Sequence, residues 1–191
     1  ILEEALIIKG VTDISKTQAF IDGKITVQDE SSMLEARILD PIPGQRVLDV
    51  CAAPGGKTTH IAQLMKNSGY ILAWDIHRHK TDLIRKNAER LGITIIKTKV
   101  KDALLPDEEA LGRFDRVLVD VPCTGTGIIR RKPDVKWQRK PHDIGSLVEI
   151  QKKILYNSSR YVVPGGILVY STCSVDAREN EQVIHDFLKE N

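Results

Sequence analysis

The chain has 191 residues, 41% hydrophobic and 28% charged, with a formal net charge of +2. That composition describes one ordinary globular domain of about 150 residues with a short appendage, and the near-neutral charge neither demands nor excludes nucleic acid. No apolar run approaches the ~18 residues of a membrane span, and no signal-peptide pattern is visible in the acidic opening stretch Ile1-Leu2-Glu3-Glu4.

Residues 1–30 show no strong period. Ile7-Ile8 and Ile25-Thr26-Val27 suggest short strands around Gly10 and the Asp22-Gly23 turn, in an extension packed on the main domain of 31–191. Ser32 with Glu35 fits a capping box, and Met33-Leu34 with Ile38-Leu39 gives a helical face that Pro41, Pro43 and Gly44 end. An α/β rhythm follows: strand 46–51, helix 57–66, strand 70–75, helix 81–91 ended by Gly92, strand 94–100, and strand 115–121 running into Pro122-Cys123. After a basic loop come helix 144–162, a break at Pro164-Gly165-Gly166, and strand 167–172 ending in Cys173. A last helical face holds Val183, Ile184, Phe187 and Leu188, with Asp176 and Glu179 fitting its cap. Such alternation gives a mainly parallel sheet covered by helices on both faces, a Rossmann-like α/β fold. Ligands of such sheets bind beyond the carboxyl ends of the strands. The reactive residues fall there: Cys51, Asp75, Asp102, Asp120, Cys123 and Cys173. That placement points to an enzyme.

Strand 46–51 opens through Cys51-Ala52-Ala53-Pro54-Gly55-Gly56-Lys57 into a helix. A phosphate-binding P-loop would need glycine where Cys51 stands, and a dinucleotide fingerprint needs G-x-G-x-x-G, so both fit poorly. S-adenosylmethionine fits better. It needs close backbone approach without a full anion cradle, an acid for the ribose hydroxyls and a partner for the adenine amino group. Asp75, 19 residues after Gly56, and Asp102 stand at the next two strand ends for these roles.

The three cysteines are odd in number and far apart, with no C-x-x-C spacing. They argue against a disulfide framework or zinc site and for a reducing cytoplasm. The five histidines show no metal spacing. Cys123 and Cys173, at the ends of neighbouring central strands and beside Asp120, would reach one crevice. A thiolate, an acid and a methyl donor together suit methylation of a pyrimidine at C5. Thiolate addition to C6 makes C5 an enamine carbon able to attack the methyl sulfonium, an acid steadies the charge on the ring, and a base removes the C5 proton. Amino-group methylation would need no thiol. On these residues alone, either cysteine serves as nucleophile.

The runs Val50 to Thr58, Asp120-Val121-Pro122-Cys123-Thr124-Gly125-Thr126-Gly127, Arg131 to Trp137 and Tyr170-Ser171-Thr172-Cys173-Ser174 resemble the RNA cytosine-C5 methyltransferases of the Nop/Sun family. The resemblance runs from about residue 20 to the end and is strongest to the bacterial Sun branch, which acts on small-subunit ribosomal RNA. It implies a class I methyltransferase fold, and S-adenosylmethionine bound by residues 51–57, Asp75, Asp102 and Asp120. It implies Cys173 as nucleophile, with Cys123 assisting proton removal or product release. Asp120 would serve cofactor or cytosine, and Lys57 would cap the turn or reach the substrate. Asp120-Val121 replaces the commoner Asp-Ala. The family's amino-terminal helical RNA-binding domain and two last strands are not in this sequence, which therefore reads as a portion of a longer chain.

Residues 130–140 hold six Lys or Arg against one Asp. Beside the crevice, Arg130, Arg131, Lys132 and Lys136 are candidates for RNA phosphates, and Trp137 for stacking on an unpaired base. The expectation is a cytoplasmic enzyme on RNA, ribosomal RNA foremost, without metal or membrane. Transfer RNA methylation and a catalytically idle RNA-binding module are the alternatives.

Overall fold

The structure, a computed structural model, describes residues 2–138 and 143–191. Among these residues five strands make one sheet: β1 (Arg46–Asp49), β2 (Tyr70–Asp75), β3 (Ile96–Val100), β4 (Phe114–Asp120) and β5 (Val162–Ser171). All neighbours are parallel, in the order β3-β2-β1-β4-β5. The order reverses between β1 and β4, so a crevice opens beyond their carboxyl ends.

Among the described residues, seven α-helices accompany the sheet: α1 (Gln18–Ile21), α2 (Glu30–Leu39), α3 (Gly56–Leu64), α4 (Arg78–Arg90), α5 (Val135–Gln138), α6 (Asp143–Ser159) and α7 (Glu181–Glu190). Strand side chains alternate between faces, and both faces are apolar because both are covered. Val47, Ile71 and Leu118 pack with Ala36 and Leu39 of α2 and Ile61 of α3. Their neighbours Leu48, Val117 and Val119 pack on the other face with Trp74, Ile154 of α6 and Tyr161.

Several boundaries differ from the sequence reading. No strand forms in residues 2–30; a single 3-10 turn (Ile14–Lys16) and α1 form instead. Asp13 and Thr17 accept hydrogen bonds from the backbone N–H groups of Ser15 and Phe20, and such capping favours turns over strands. Helix α2 starts two residues before Ser32, after Asp29, so Ser32 and Glu35 lie inside it and form no capping box. Glu35 finds its partners across the molecule. Helix α6 stops at Ser159, and β5 already begins at Val162. The Pro164-Gly165-Gly166 stretch is therefore an irregular part of the strand, where its register with β4 shifts between Phe114 and Arg116. Proline is tolerated there because the ladder to β4 is interrupted at this irregularity. Asp176 caps a 3-10 turn (Ala177–Glu179), not α7 itself.

Candidate active site

The turn after β1 depends on Gly55. Its φ is +101°, and a Cβ there would meet Ile84 Cα at 3.1 Å. The Asn87 amide donates to Pro54 O at 3.0 Å and braces the turn from α4. Behind it, the carboxyl of Asp49 is buried and accepts a 2.7 Å hydrogen bond from the Thr58 hydroxyl. Burial raises its pKa to about 7. Burial also pushes the Cys51 thiol well up, so Cys51 is a wall of the site and not a nucleophile.

In front of the turn lies a cavity of ≈ 410 Å³. Of the anticipated cofactor residues, Cys51, Ala53, Asp75, Asp102 and Asp120 line it, while Ala52, Pro54, Gly55, Gly56 and Lys57 do not. Asp75 Oδ1 accepts from His77 N–H at 3.0 Å and Asp102 Oδ1 from Leu104 N–H at 2.9 Å. Each carboxylate is thereby held at the cavity wall by its own turn. Ile76, Leu104 and Ile154 add apolar surface.

Beyond β4 and β5 the two cysteines meet. Cys123 Sγ and Cys173 Sγ are 3.1 Å apart and both thiols are free. Cys123 is buried and Cys173 exposed. Cys173 N–H donates to Cys123 Sγ at 3.3 Å. The Cys123 thiol hydrogen bond draws the Cys173 thiol down to about 7, with help from Lys57 and against burial and Asp120. The same hydrogen bond, and then burial, drives Cys123 up, so it remains a thiol.

Asp120 ends β4, and Lys57 reaches it: the ammonium pairs with Asp120 Oδ2 and stands 3.0 Å from Glu35 Oε2. The Ser171 hydroxyl lies 2.6 Å from Glu35 Oε2 and 3.3 Å from Asp120 Oδ1. Burial opposes the charge on Lys57, but the two carboxylates outweigh it and raise its pKa. The Glu35 carboxyl is raised by burial and by Asp120.

The loops carrying the thiols are locked together. Gly127 N–H donates to Cys173 O at 2.9 Å, and a Cβ on Gly127 would meet that oxygen at 2.8 Å. Glu179 is fully buried and accepts from Thr124 N–H and Gln151 Nε2, each at 2.9 Å, and from the Thr124 hydroxyl. Sequence reasoning placed Glu179 in a helix cap and missed both Glu35 and Ser171. No local signal marks them, because their partners are distant in the chain.

The basic stretch follows a 3-10 turn (Thr126–Ile128), with Arg130, Arg131 and Lys132 exposed and Trp137 80% exposed. Arg131 is ion-paired with Asp29. The side chain of Lys136 and residues 139–142 lie outside the described residues. Among the described residues, no group of three or more His, Cys, Asp or Glu is placed to hold a metal ion. No described helix is long and apolar enough to cross a membrane.

The family model for 16S rRNA methyltransferase RsmB/F matches residues 36–191. The chain belongs to this family. A Bacillus subtilis (strain 168) protein named "Probable ribosomal RNA small subunit methyltransferase B" is 51% identical over 186 residues, which are 97% of this chain and 41% of that protein. The crystal structure of PH0851 superposes with a TM-score of 0.92 at 41% identity, over 95% of this chain and 41% of that one. The structure of NSun6 from Pyrococcus horikoshii with SFG gives 0.85 at 33% identity, over 94% and 46%. The chain thus spans about two fifths of the curated relative's length. The Rossmann-like methyltransferase fold anticipated from the sequence is the one observed. The cofactor of the family is S-adenosylmethionine, and the cavity fits it: its volume lies in the range of small-molecule sites, and it presents two fixed carboxylates among apolar walls.

Proposed function

We propose that the chain carries S-adenosylmethionine-dependent methylation of a cytosine C5 in RNA, with small-subunit ribosomal RNA as substrate and a Cys173–C6 adduct as intermediate. Residues 31–191 form the methyltransferase unit and 1–30 an extension packed on it. The observation that carries the reading is the pair of free thiols 3.1 Å apart, of which only Cys173 is drawn toward ionisation. Amino-group transfer has no use for such a pair.

Cys173, as thiolate, adds to C6 of a cytosine turned out of its stack. Lys57 donates to the charge that develops on the ring, and Asp120 accepts from the ring edge. When bound, S-adenosylmethionine supplies an electrophilic methyl group at the cavity bounded by Asp75 and Asp102. After a base removes the C5 proton, Cys173 leaves as thiolate, and the Cys123 S–H donates to it and stabilises its departure. Arg130, Lys132 and Lys136 meet phosphates, and Trp137 stacks on an unpaired base. A reducing cytoplasm keeps both thiols free.

Small-subunit ribosomal RNA carrying 5-fluorocytidine tests this, because fluorine blocks proton removal. Wild type should remain covalently attached, and Cys173→Ser should not. On ordinary RNA, Cys123→Ala should accumulate the covalent complex. Absence of any wild-type adduct on ribosomal and transfer RNA would sink the enzyme reading.

A further inference from the structure

Glu35 comes from α2, ahead of the cofactor sheet, yet its carboxylate lies against residues that end both thiol-bearing strands. It stands 3.0 Å from the Lys57 ammonium, which is also paired with Asp120. It lies 2.6 Å from the Ser171 hydroxyl, which is 3.3 Å from Asp120 Oδ1. Two carboxylates therefore draw on the same two donors. A hydroxyl has one proton to give, and the shorter contact assigns it to Glu35. Glu35 thus takes the Ser171 proton and a share of Lys57, and Oδ1 of Asp120 is left with only the long contact. Asp120 also lines the cavity and is the more open of the two, its side chain 27% exposed against 17% for Glu35.

We propose that Glu35 is a positioning residue of the reaction: by holding Lys57 and Ser171 it keeps one oxygen of Asp120 available to accept from the pyrimidine. This rests on the cytosine-C5 reading above. Without Glu35, Lys57 and Ser171 close on Asp120 and occupy both of its oxygens. The charged and titratable groups facing Asp120 are Lys57 of α3, Glu35 of α2, Cys173 beyond β5, and Asp49 and Cys51 at the end of β1. Loss of the Glu35 charge removes a negative neighbour of the Lys57–Asp120 pair beside Cys173, so the Cys173 thiolate forms at lower pH.

The test is single-turnover methylation of transcribed small-subunit ribosomal RNA by the full chain across pH, with wild type, Glu35→Gln and Glu35→Asp. Glu35→Gln keeps shape and removes charge. It should bind S-adenosylmethionine as wild type does, methylate about tenfold to a hundredfold more slowly, and have the acidic limb of its profile moved to lower pH. Glu35→Asp keeps the charge and should hold the limb at the wild-type position. Iodoacetamide alkylation of Cys173, which needs no RNA, should show the same limb shift in Glu35→Gln alone. Wild-type rate and limb in Glu35→Gln would overturn the inference. So would an equal slowing in both variants with the limb unmoved, which is a structural effect only. If wild type neither methylates nor forms the 5-fluorocytidine adduct, the cytosine-C5 reading fails, and this inference with it.

Discussion

Cys173 and Cys51 show how one residue type is given two fates by its surroundings. Cys51 sits in the wall of the cavity, where burial keeps its thiol protonated. Cys173 is exposed beyond β5, and its neighbour Cys123 donates a hydrogen bond that favours the thiolate. A thiol in the free state ionises near pH 8.5, so a Cys173 thiol near 7 is about half ionised at neutral pH, where a free thiol is almost wholly protonated. The alkylation rate of Cys173 by iodoacetamide, followed by mass spectrometry of its peptide, should rise with pH to half its plateau near pH 7. Cys123→Ala removes the largest favourable contribution, and the midpoint should move up toward the free-thiol range. An unmoved midpoint would mean that Lys57, and not Cys123, sets the ionisation.

The loops that follow β4 and β5 work as one element, and they mark the boundary of what the sequence made legible. Which residues stand at the strand ends could be read, because apolar runs of strand length bounded by turns locate carboxyl ends without any knowledge of packing. Asp75, Asp102, Cys123 and Cys173 stand at or just beyond the ends of β2, β3, β4 and β5, as those runs predict. The lock between the loops could not be read. Ser171 meets Glu35 136 positions away, and Thr124 meets Glu179 55 positions away. Neither pairing leaves a local pattern, and Glu35 and Glu179 each fit a helix-cap motif that local rules favour. Gly127 belongs to the same class: only the fold shows that its missing Cβ admits the Cys173 carbonyl. Because that neighbour is backbone, Gly127→Ala must shift one loop against the other. Overpacking of this kind costs about 1–3 kcal/mol. Displacement of the thiols should slow 5-fluorocytidine adduct formation by about a hundredfold, while S-adenosylmethionine affinity, measured by calorimetry, stays within about twofold. Adduct formation at the wild-type rate would show that the two loops need not be held in register.

At the scale of the whole molecule, the segment ahead of the sheet is joined to the site at separate points. Glu35 meets Lys57, Asp29 pairs with Arg131, and Glu4 contacts both Arg37 and His60. Residues 2–39 are therefore tied to the basic stretch, to α3 and, through Glu35, to the Lys57 ammonium. The sequence reads residues 1–30 as an extension packed on the main domain, but without a period it does not name the anchors, because periodicity reports burial of faces and is silent on polar contacts. Arg90, at the end of α4, is the clearest such anchor. Its guanidinium donates to Phe20 O at 2.8 Å and Ile25 O at 3.0 Å, and lies 3.8 Å from the centre of the Phe20 ring. Charged hydrogen bonds contribute about 1.5–3 kcal/mol each where they are well made, and the ring contact adds about 0.5–1 kcal/mol. Arg90→Ala should therefore speed amide hydrogen exchange in residues 20–24 by about tenfold or more. The amides of β1 and β4 should exchange as in wild type, since their bonds belong to the sheet. If β1 and β4 exchange faster by the same factor, Arg90 supports the global fold and the segment opens only with the core. If residues 20–24 alone respond, the segment is a separate unit clasped onto the site, free to loosen while the sheet holds the cofactor cavity in shape.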